Sequence, residues 1–119
     1  MHPFPPLSDL QFLIGRTLEQ VCLGFWQFQF RFDTASIFVE GDLEHVDSEG
    51  GTHRHNTDAD RLSPILVHHL LGQAVKAISV EPFCLTLAFE RGGLLRIFSD
   101  LGQFECGQIY DDAGRMTVF

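Results

Sequence analysis

The sequence has no apolar run close to the ~20 residues that a membrane-spanning helix requires. Residues 1–6 have neither the basic nor the apolar region of a secretory signal. Basic side chains are also few, because 8 Lys and Arg stand against 16 Asp and Glu and leave a net charge of −8. Such an acidic balance argues against nucleic acid as a direct partner. We therefore expect a protein that binds neither membranes nor nucleic acids.

Cysteine is scarce, and its spacing matches no known framework. The chain has Cys22, Cys84 and Cys106, an odd number without a C-x-x-C pair, which gives neither a disulfide framework nor a zinc knuckle. Cys22 and Cys84 lie in apolar, strand-like runs, where a free cysteine usually behaves as a small buried hydrophobe. This usage fits a reducing compartment, and we expect a cytoplasmic protein.

The motifs of the common enzyme classes are absent. There is no G-x-S-x-G, no H-E-x-x-H, no P-loop and no G-x-G-x-x-G, and nothing in the spacing of the acids selects a catalytic pair. We therefore predict no catalytic residues and no cofactor.

What the sequence does contain is an internal similarity. Three pairs of segments match in the same order: residues 13–21 with 70–78, residues 26–32 with 83–89, and residues 37–39 with 95–97. The first two pairs lie 57 positions apart, which aligns Gly15 with Gly72, and the third pair lies 58 apart. Three matches in order indicate a duplication.

The matched segments predict the fold. Residues 26–32 and 83–89 alternate as half-buried strands do. The side chains expected to face the core are Trp26, Phe28, Phe30, Phe32, Phe83, Leu85, Leu87 and Phe89. Short helices are predicted before each glycine, over residues 8–14 and 63–72, the second capped by Ser63. The strands should pair antiparallel, because no crossover of helical length separates them.

We therefore predict one α+β domain over residues 1–119, mostly antiparallel β, built as two pseudo-symmetric repeats of a helix plus three strands. The first repeat covers about residues 8–41 and the second about 62–99. An acidic connector at 42–61 joins them, and strands within 103–119 complete the chain.

The connector holds the candidate metal ligands His53, His55 and Asp58. Alternate histidines on an extended backbone can reach one metal ion, and a carboxylate can complete its coordination. Arg54 lies between them, however, and no second pair of ligands occurs at a suitable spacing. The surrounding Gly, Asn, Asp and Thr are typical of an exposed loop, which is the favoured interpretation.

A cluster of acidic residues is the candidate binding surface. Five acids fall within ten residues, without Lys or Arg among them: Glu40, Asp42, Glu44, Asp47 and Glu49. Charge runs usually form a solvated surface. The functional alternative is a contact with a basic protein surface, where charge complementarity raises the association rate and the specificity.

The chain resembles a family of small, uncharacterised bacterial domains from residue 13 to about residue 110. The likeness is carried by Gly15-Arg16, by Leu71-Gly72, and by Phe89 with Gly93. This family is a domain of unknown function, and some of its members occur beside polymorphic toxin genes. It has no known catalytic residue, so none is carried over. The sequence Asp33-Thr34-Ala35 departs from the Asp-Gly that such proteins commonly have in the first turn.

Two functions are compatible with these observations. The first is a non-enzymatic binding protein for a basic protein surface, and the resemblance makes an immunity protein against a toxin its particular form. The alternative is a small-ligand or enzymatic module that uses a cleft between the two repeats.

Overall fold

The part of the chain that the structure describes forms ten antiparallel strands, arranged in two five-stranded sheets. The structure, a computed structural model, describes residues 2–56 and 64–119. The strands are β1 (Gln20–Leu23), β2 (Phe28–Phe32), β3 (Ala35–Val39), β4 (Asp42–Val46), β5 (Thr52–Asn56), β6 (Val75–Glu81), β7 (Cys84–Phe89), β8 (Leu94–Phe98), β9 (Gly107–Tyr110) and β10 (Met116–Val118). The first sheet has the order β1-β2-β3-β9-β10 and the second the order β5-β4-β8-β7-β6.

The core contains the inward faces of both sheets. Phe28, Phe30 and Phe32 of β2 are buried, whereas Gln29 and Arg31 between them are half-buried. Leu85, Leu87 and Phe89 are buried in the same way on β7. These buried side chains belong to one hydrophobic cluster, so both sheets contribute to a single core.

Helix is minor in this fold. Among the described residues, the one α-helix is α1 (Leu7–Leu10), which is followed by a 3₁₀ helix at Gln11–Leu13; a second 3₁₀ helix covers Val67–Leu70. No helix of the described ranges is long and apolar enough to cross a membrane. Of the two short helices predicted before the glycines, the first is one α-helical turn continued by a 3₁₀ helix, and the described part of the second contains only a 3₁₀ helix. Ser63, its expected cap, lies outside the described residues.

The predicted α+β class with two helix-plus-three-strand repeats is wrong. Strands β1, β2 and β3 form a meander in the first sheet, but β4 and β5 then join the second sheet, where β4 pairs with β8. Conversely, β9 and β10 leave the second sheet for the first, where β9 pairs with β3. The result is a mostly antiparallel β fold in which each sheet combines strands from both halves of the chain.

The two glycine segments lie against each other. The amide of Gly15 donates to the carbonyl oxygen of Val75 at 2.8 Å, and the amide of Gly72 donates to that of Leu18, also at 2.8 Å. Thr17 and Ala74 form an isolated antiparallel bridge between these contacts. This reciprocal arrangement joins the approach to β1 with the approach to β6. The duplication itself stays a prediction from the sequence.

Two of the expected core residues are not in the core. Trp26 lies in the turn between β1 and β2 and is 63% exposed, and Phe83 lies in the turn between β6 and β7 and is 40% exposed. The alternating patterns therefore extend beyond the strands that they predicted. In both cases the paired strands end before the pattern does.

The expected connector is largely strand. Residues 42–46 form β4 and residues 52–56 form β5, a hairpin at the edge of the second sheet. The loop interpretation of His53 and His55 is therefore wrong, because both lie on β5. Asp58 and the rest of the connector, residues 57–61, lie outside the described residues.

The start of β9 requires a residue without a side chain. A Cβ atom on Gly107 would lie 2.1 Å from the carbonyl oxygen of Phe38 and 2.4 Å from Cζ of Phe119. Any larger residue must displace the backbone of β3 or the ring of Phe119. Gly107 thus permits the close approach of β3 and β9.

Removal of a core ring is expected to destabilise the protein strongly. Phe30→Ala should lower the free energy of unfolding by about 3–5 kcal/mol, because Phe30 is fully buried and the change leaves a cavity. Phe104→Ala is the matched control, since Phe104 is 78% exposed, and it should change stability by less than about 0.5 kcal/mol. Urea denaturation measures both, and equal losses would contradict the assignment of the core.

Candidate functional site

The five candidate acids lie on or beside the β4–β5 hairpin. Leu43 and His45 of β4 point into the core, so Asp42 and Glu44 alternate to the outer face of the sheet. Glu40 precedes β4, whereas Asp47 and Glu49 lie in the turn that follows it. Asp42 and Glu44 therefore share the outer face of the sheet, whereas Glu40, Asp47 and Glu49 lie before and after the strand.

Three of these carboxylates bind groups of the same chain. Glu44 forms an ion pair with Arg96 of β8, at 2.8 Å between Oε1 and Nη1. Asp42 accepts a hydrogen bond from the side-chain amide of Asn56 at 2.6 Å. Glu40 accepts one from the side-chain amide of Gln108 at 2.7 Å. Three of the five acids therefore have hydrogen-bond partners within the chain, and for Glu44 that partner is a cation.

Asp47 organises the β4–β5 turn. Its Oδ1 accepts the backbone amides of Glu49 and Gly51, each at 2.9 Å, and its Oδ2 lies 2.9 Å from Nε2 of His53. The hydrogen bond with His53, followed by the one from Gly51, lowers the pKa of Asp47 to about 2. Asp47 is thus ionised at neutral pH and holds the turn in shape. Glu49 is left exposed.

His45 is a polar side chain at a core position. It is fully buried, and in register it lies between His53 of β5 and Leu95 of β8. Among the described residues, neither Nδ1 nor Nε2 of its ring has a hydrogen-bond partner. Burial, and secondly the neighbouring His53, lowers its pKa to about 4. The imidazole is therefore neutral at physiological pH.

The two candidate metal ligands that the structure describes, His53 and His55, have different neighbours. The His53 ring is bonded to Asp47 and lies 5.8 Å from the His45 ring, centroid to centroid. The His55 ring is buried beside the Phe28 ring, at 6.4 Å. Asp58 lies outside the described residues, and within the ranges 2–56 and 64–119 no three His, Cys, Asp or Glu side chains are grouped as metal ligands.

A cavity of about 400 Å³ lies beside His45. Its walls come from the β4–β5 turn, from the second 3₁₀ helix and the residues after it, and from the turn between β7 and β8. The polar groups in these walls are His45, Asp47, Ser48, His69, Gln73 and Arg91. The residues before position 42, which belong to the expected first repeat, contribute none of these walls.

An exposed apolar cluster lies at the turn between β1 and β2. Leu23, Phe25 and Trp26 are 55%, 64% and 63% exposed, and we refer to these three residues as the aromatic tip. The turn is closed by the amide of Gly24, which donates to the carbonyl oxygen of Gln27 at 2.8 Å. The rings of Phe25 and Trp26 meet edge to face, with centroids 4.5 Å apart.

The sequence interpretation missed the aromatic tip because it placed Trp26 in the core and gave Phe25 no role. One signal was present: Gly24 interrupts the apolar run directly before two adjacent aromatic residues. Adjacent residues of a strand point to opposite faces, so both rings could not have faced the core. A glycine directly before the two rings favours a turn at this point.

No protein-family model, no curated protein and no solved structure matches this chain.

The stability of the protein should depend on pH through His45. Between about pH 6.5 and about pH 4 the unfolded chain binds a proton at His45 and the folded chain does not, so acidification favours unfolding. We expect the free energy of unfolding to fall by ~3 kcal/mol across this window. His45→Leu should remove most of this loss, as measured by urea denaturation at several pH values.

His68→Asn provides the control for this measurement. Since His68 is exposed in the folded chain, the variant should keep the wild-type dependence on pH. If His45→Leu retains the wild-type dependence, another group causes it and the burial of a neutral His45 is not responsible.

Proposed function

We propose that this chain is a non-enzymatic, protein-binding domain whose contact surface is centred on the aromatic tip. The observation that carries the proposal is the exposure of Leu23, the last residue of β1, and of Phe25 and Trp26 in the turn that follows it. Scattered apolar residues are normal on protein surfaces, whereas a contiguous exposed group indicates an interaction site. Aromatic residues, tryptophan above all, also dominate the binding energy of protein interfaces.

The local structure favours binding with little loss of conformational freedom. The flanking residues Leu23 and Phe28 are paired in the ladder between β1 and β2, so the turn projects from two ordered strands. Packing of Phe25 against Trp26 restricts both rings further. Groups that are already ordered before binding lose less entropy on association, and this raises affinity.

The charge of the chain favours a basic partner. A net charge of −8 attracts a positive surface and speeds its encounter with the chain. The acids Glu40, Asp42, Glu44 and Asp47 have partners within the chain. We therefore propose that they contribute to binding through the overall negative charge of the chain. Glu49 is exposed and can contribute at the edge of a contact.

A basic toxin domain is the partner that the resemblance to the bacterial family implies, and the chain would then act as its immunity protein. This form of the proposal is supported by the acidic charge and by the lack of recognisable catalytic motifs in the sequence.

Loss of the aromatic tip should abolish tight partner binding. The partner is captured from the native host with the wild-type chain, and its affinity is measured by calorimetry. Trp26→Ala should raise the Kd by about thirtyfold or more, as expected for a central aromatic residue of an interface. Because Trp26 is largely exposed, the variant should keep the wild-type stability.

Phe104→Ala is the matched control, because Phe104 is an aromatic residue even more exposed than Trp26 and lies outside the aromatic tip, between β8 and β9. It should leave the Kd within about twofold of the wild type, as most residues outside a binding centre do. Equal effects of the two variants, or a captured protein that binds Trp26→Ala with wild-type affinity, would disprove the role of the aromatic tip.

The exposed acid should affect the association rate. Glu49→Lys is expected to slow association with a basic partner more than it speeds dissociation, as charges at the edge of an interface do. Salt should reduce the difference, because exposed charges are screened over about 8 Å at physiological ionic strength. Stopped-flow mixing at low and high salt measures both effects, and equal rates for variant and wild type at low salt would contradict a role for Glu49.

A further inference from the structure

Four described strands lie at the edges of the two sheets: β1 and β10 in the first, β5 and β6 in the second. An edge strand exposes backbone N–H and C=O groups that can pair with another chain, and proteins commonly protect it by shortness, by charged side chains or by a bulge. β10 has three residues, β5 carries Arg54, and β6 carries Lys76 and Glu81 and has a register shift near its start. β1 has four uncharged residues in unbroken register with β2, so it is the least protected of these edges.

The register of β1 shows which of its backbone groups are unpaired. The amide of Gly24 donates to the carbonyl oxygen of Gln27, so these two residues form a hydrogen-bonded pair. Such pairs recur at every second position of an antiparallel ladder, which directs the N–H and C=O of Cys22 toward β2. Those of Val21 and Leu23 therefore point away from the sheet. Among the described strands, none pairs with β1 on that side.

The open edge of β1 is continuous with the aromatic tip. Leu23 is both the last residue of β1 and the first residue of the tip, and Phe25 and Trp26 follow within the same hairpin. The two end residues of β1, Gln20 and Leu23, are exposed. A partner seated on the two rings therefore lies directly beside the unpaired backbone groups of β1.

Charge decides between a second copy of this chain and a different protein as the occupant of this edge. Glu19 directly precedes β1, is exposed and forms no ion pair with a described residue. A second copy would bring another Glu19 and another net charge of −8, and like charges oppose association. Lys or Arg side chains beside an added strand are instead attracted to this edge.

We propose that the partner adds an extended, basic segment to the edge of β1 and so lengthens the five-stranded first sheet by one strand. The inference rests on the proposed protein-binding function and names its mode of contact. Backbone hydrogen bonds to Val21 and Leu23 supply affinity in this mode, and the side chains beside the added strand supply specificity. Here those side chains are the rings of the aromatic tip and the carboxylate of Glu19.

Amide hydrogen exchange tests the added strand directly. The full ¹⁵N-labelled chain is measured alone and with the purified, unlabelled partner that the wild-type chain captures. The amides of Val21 and Leu23 should exchange about a hundredfold more slowly in the complex, because a hydrogen-bonded amide exchanges only when its bond opens. The amide of Cys22 is the internal control, since it pairs with β2 and is protected in both states.

Val21→Pro removes the outward N–H of β1. Proline is tolerated on an edge strand where its missing N–H would face solvent, so the ladder with β2 should persist. The variant should raise the Kd for the partner about tenfold or more, because it removes a backbone donor and blocks the approach of the added strand. Val21→Ala is the matched control: it removes the same side chain, keeps the N–H and should bind nearly as the wild type does.

The outcomes separate this inference from the role of the aromatic tip. If the partner binds and shifts the Trp26 signal while Val21 and Leu23 exchange as in the free chain, the added strand is disproved and the tip remains. If Trp26→Ala binds normally and both amides are protected in the complex, the added strand stands and the role of the tip is wrong. Protection of Val21 in the concentrated free chain that disappears on dilution would identify a second copy as the occupant and overturn the proposal. The exchange measurement on the wild-type chain decides even if Val21→Pro does not fold.

Discussion

Pairing between strands that are distant in the chain holds each sheet together. In the first sheet β3 pairs with β9, and in the second β4 pairs with β8. In each sheet, therefore, a strand from the first half of the chain lies next to a strand from the second half. The link from β3 to β4 is only two residues, Glu40 and Gly41, which carries the chain directly from one sheet to the other. Neither half can therefore form a complete sheet or close the core alone.

This exchange of strands determines which side chains remain for binding. On β4 the pairing with β8 places Glu44 beside Arg96, so the sheet itself neutralises an acid that the sequence left unpaired. The β1–β2 turn lies at the end of a hairpin on the edge of the first sheet, and its aromatic rings stay exposed. The fold thus gives most of the five acids a partner within the chain and leaves the aromatic tip exposed.

The sequence predicted the local strands well and their arrangement poorly, for physical reasons. The alternation of apolar and polar residues correctly indicated β2 and β7. A repeat of two residues shows that one face of a strand is buried, whichever strands lie beside it. It could not show where pairing stops, so Trp26 was assigned to the core. Histidine at position 45 concealed the apolar period of β4, and the hairpin was interpreted as a loop. The passage of β4 and β9 between sheets depends on contacts across the whole chain, which no local pattern encodes.

The account depends most on the role of Trp26, and this residue can be observed alone because it is the single tryptophan of the chain. The most direct measurement is a ¹⁹F NMR spectrum of the chain labelled with 5-fluorotryptophan, recorded free and with saturating partner. The free chain should give one resonance that responds to a change from H₂O to D₂O, as an exposed indole does, and the partner should shift that resonance and remove the response. An unchanged resonance at saturation, or a free indole that is already insensitive to the solvent, would contradict the proposed contact.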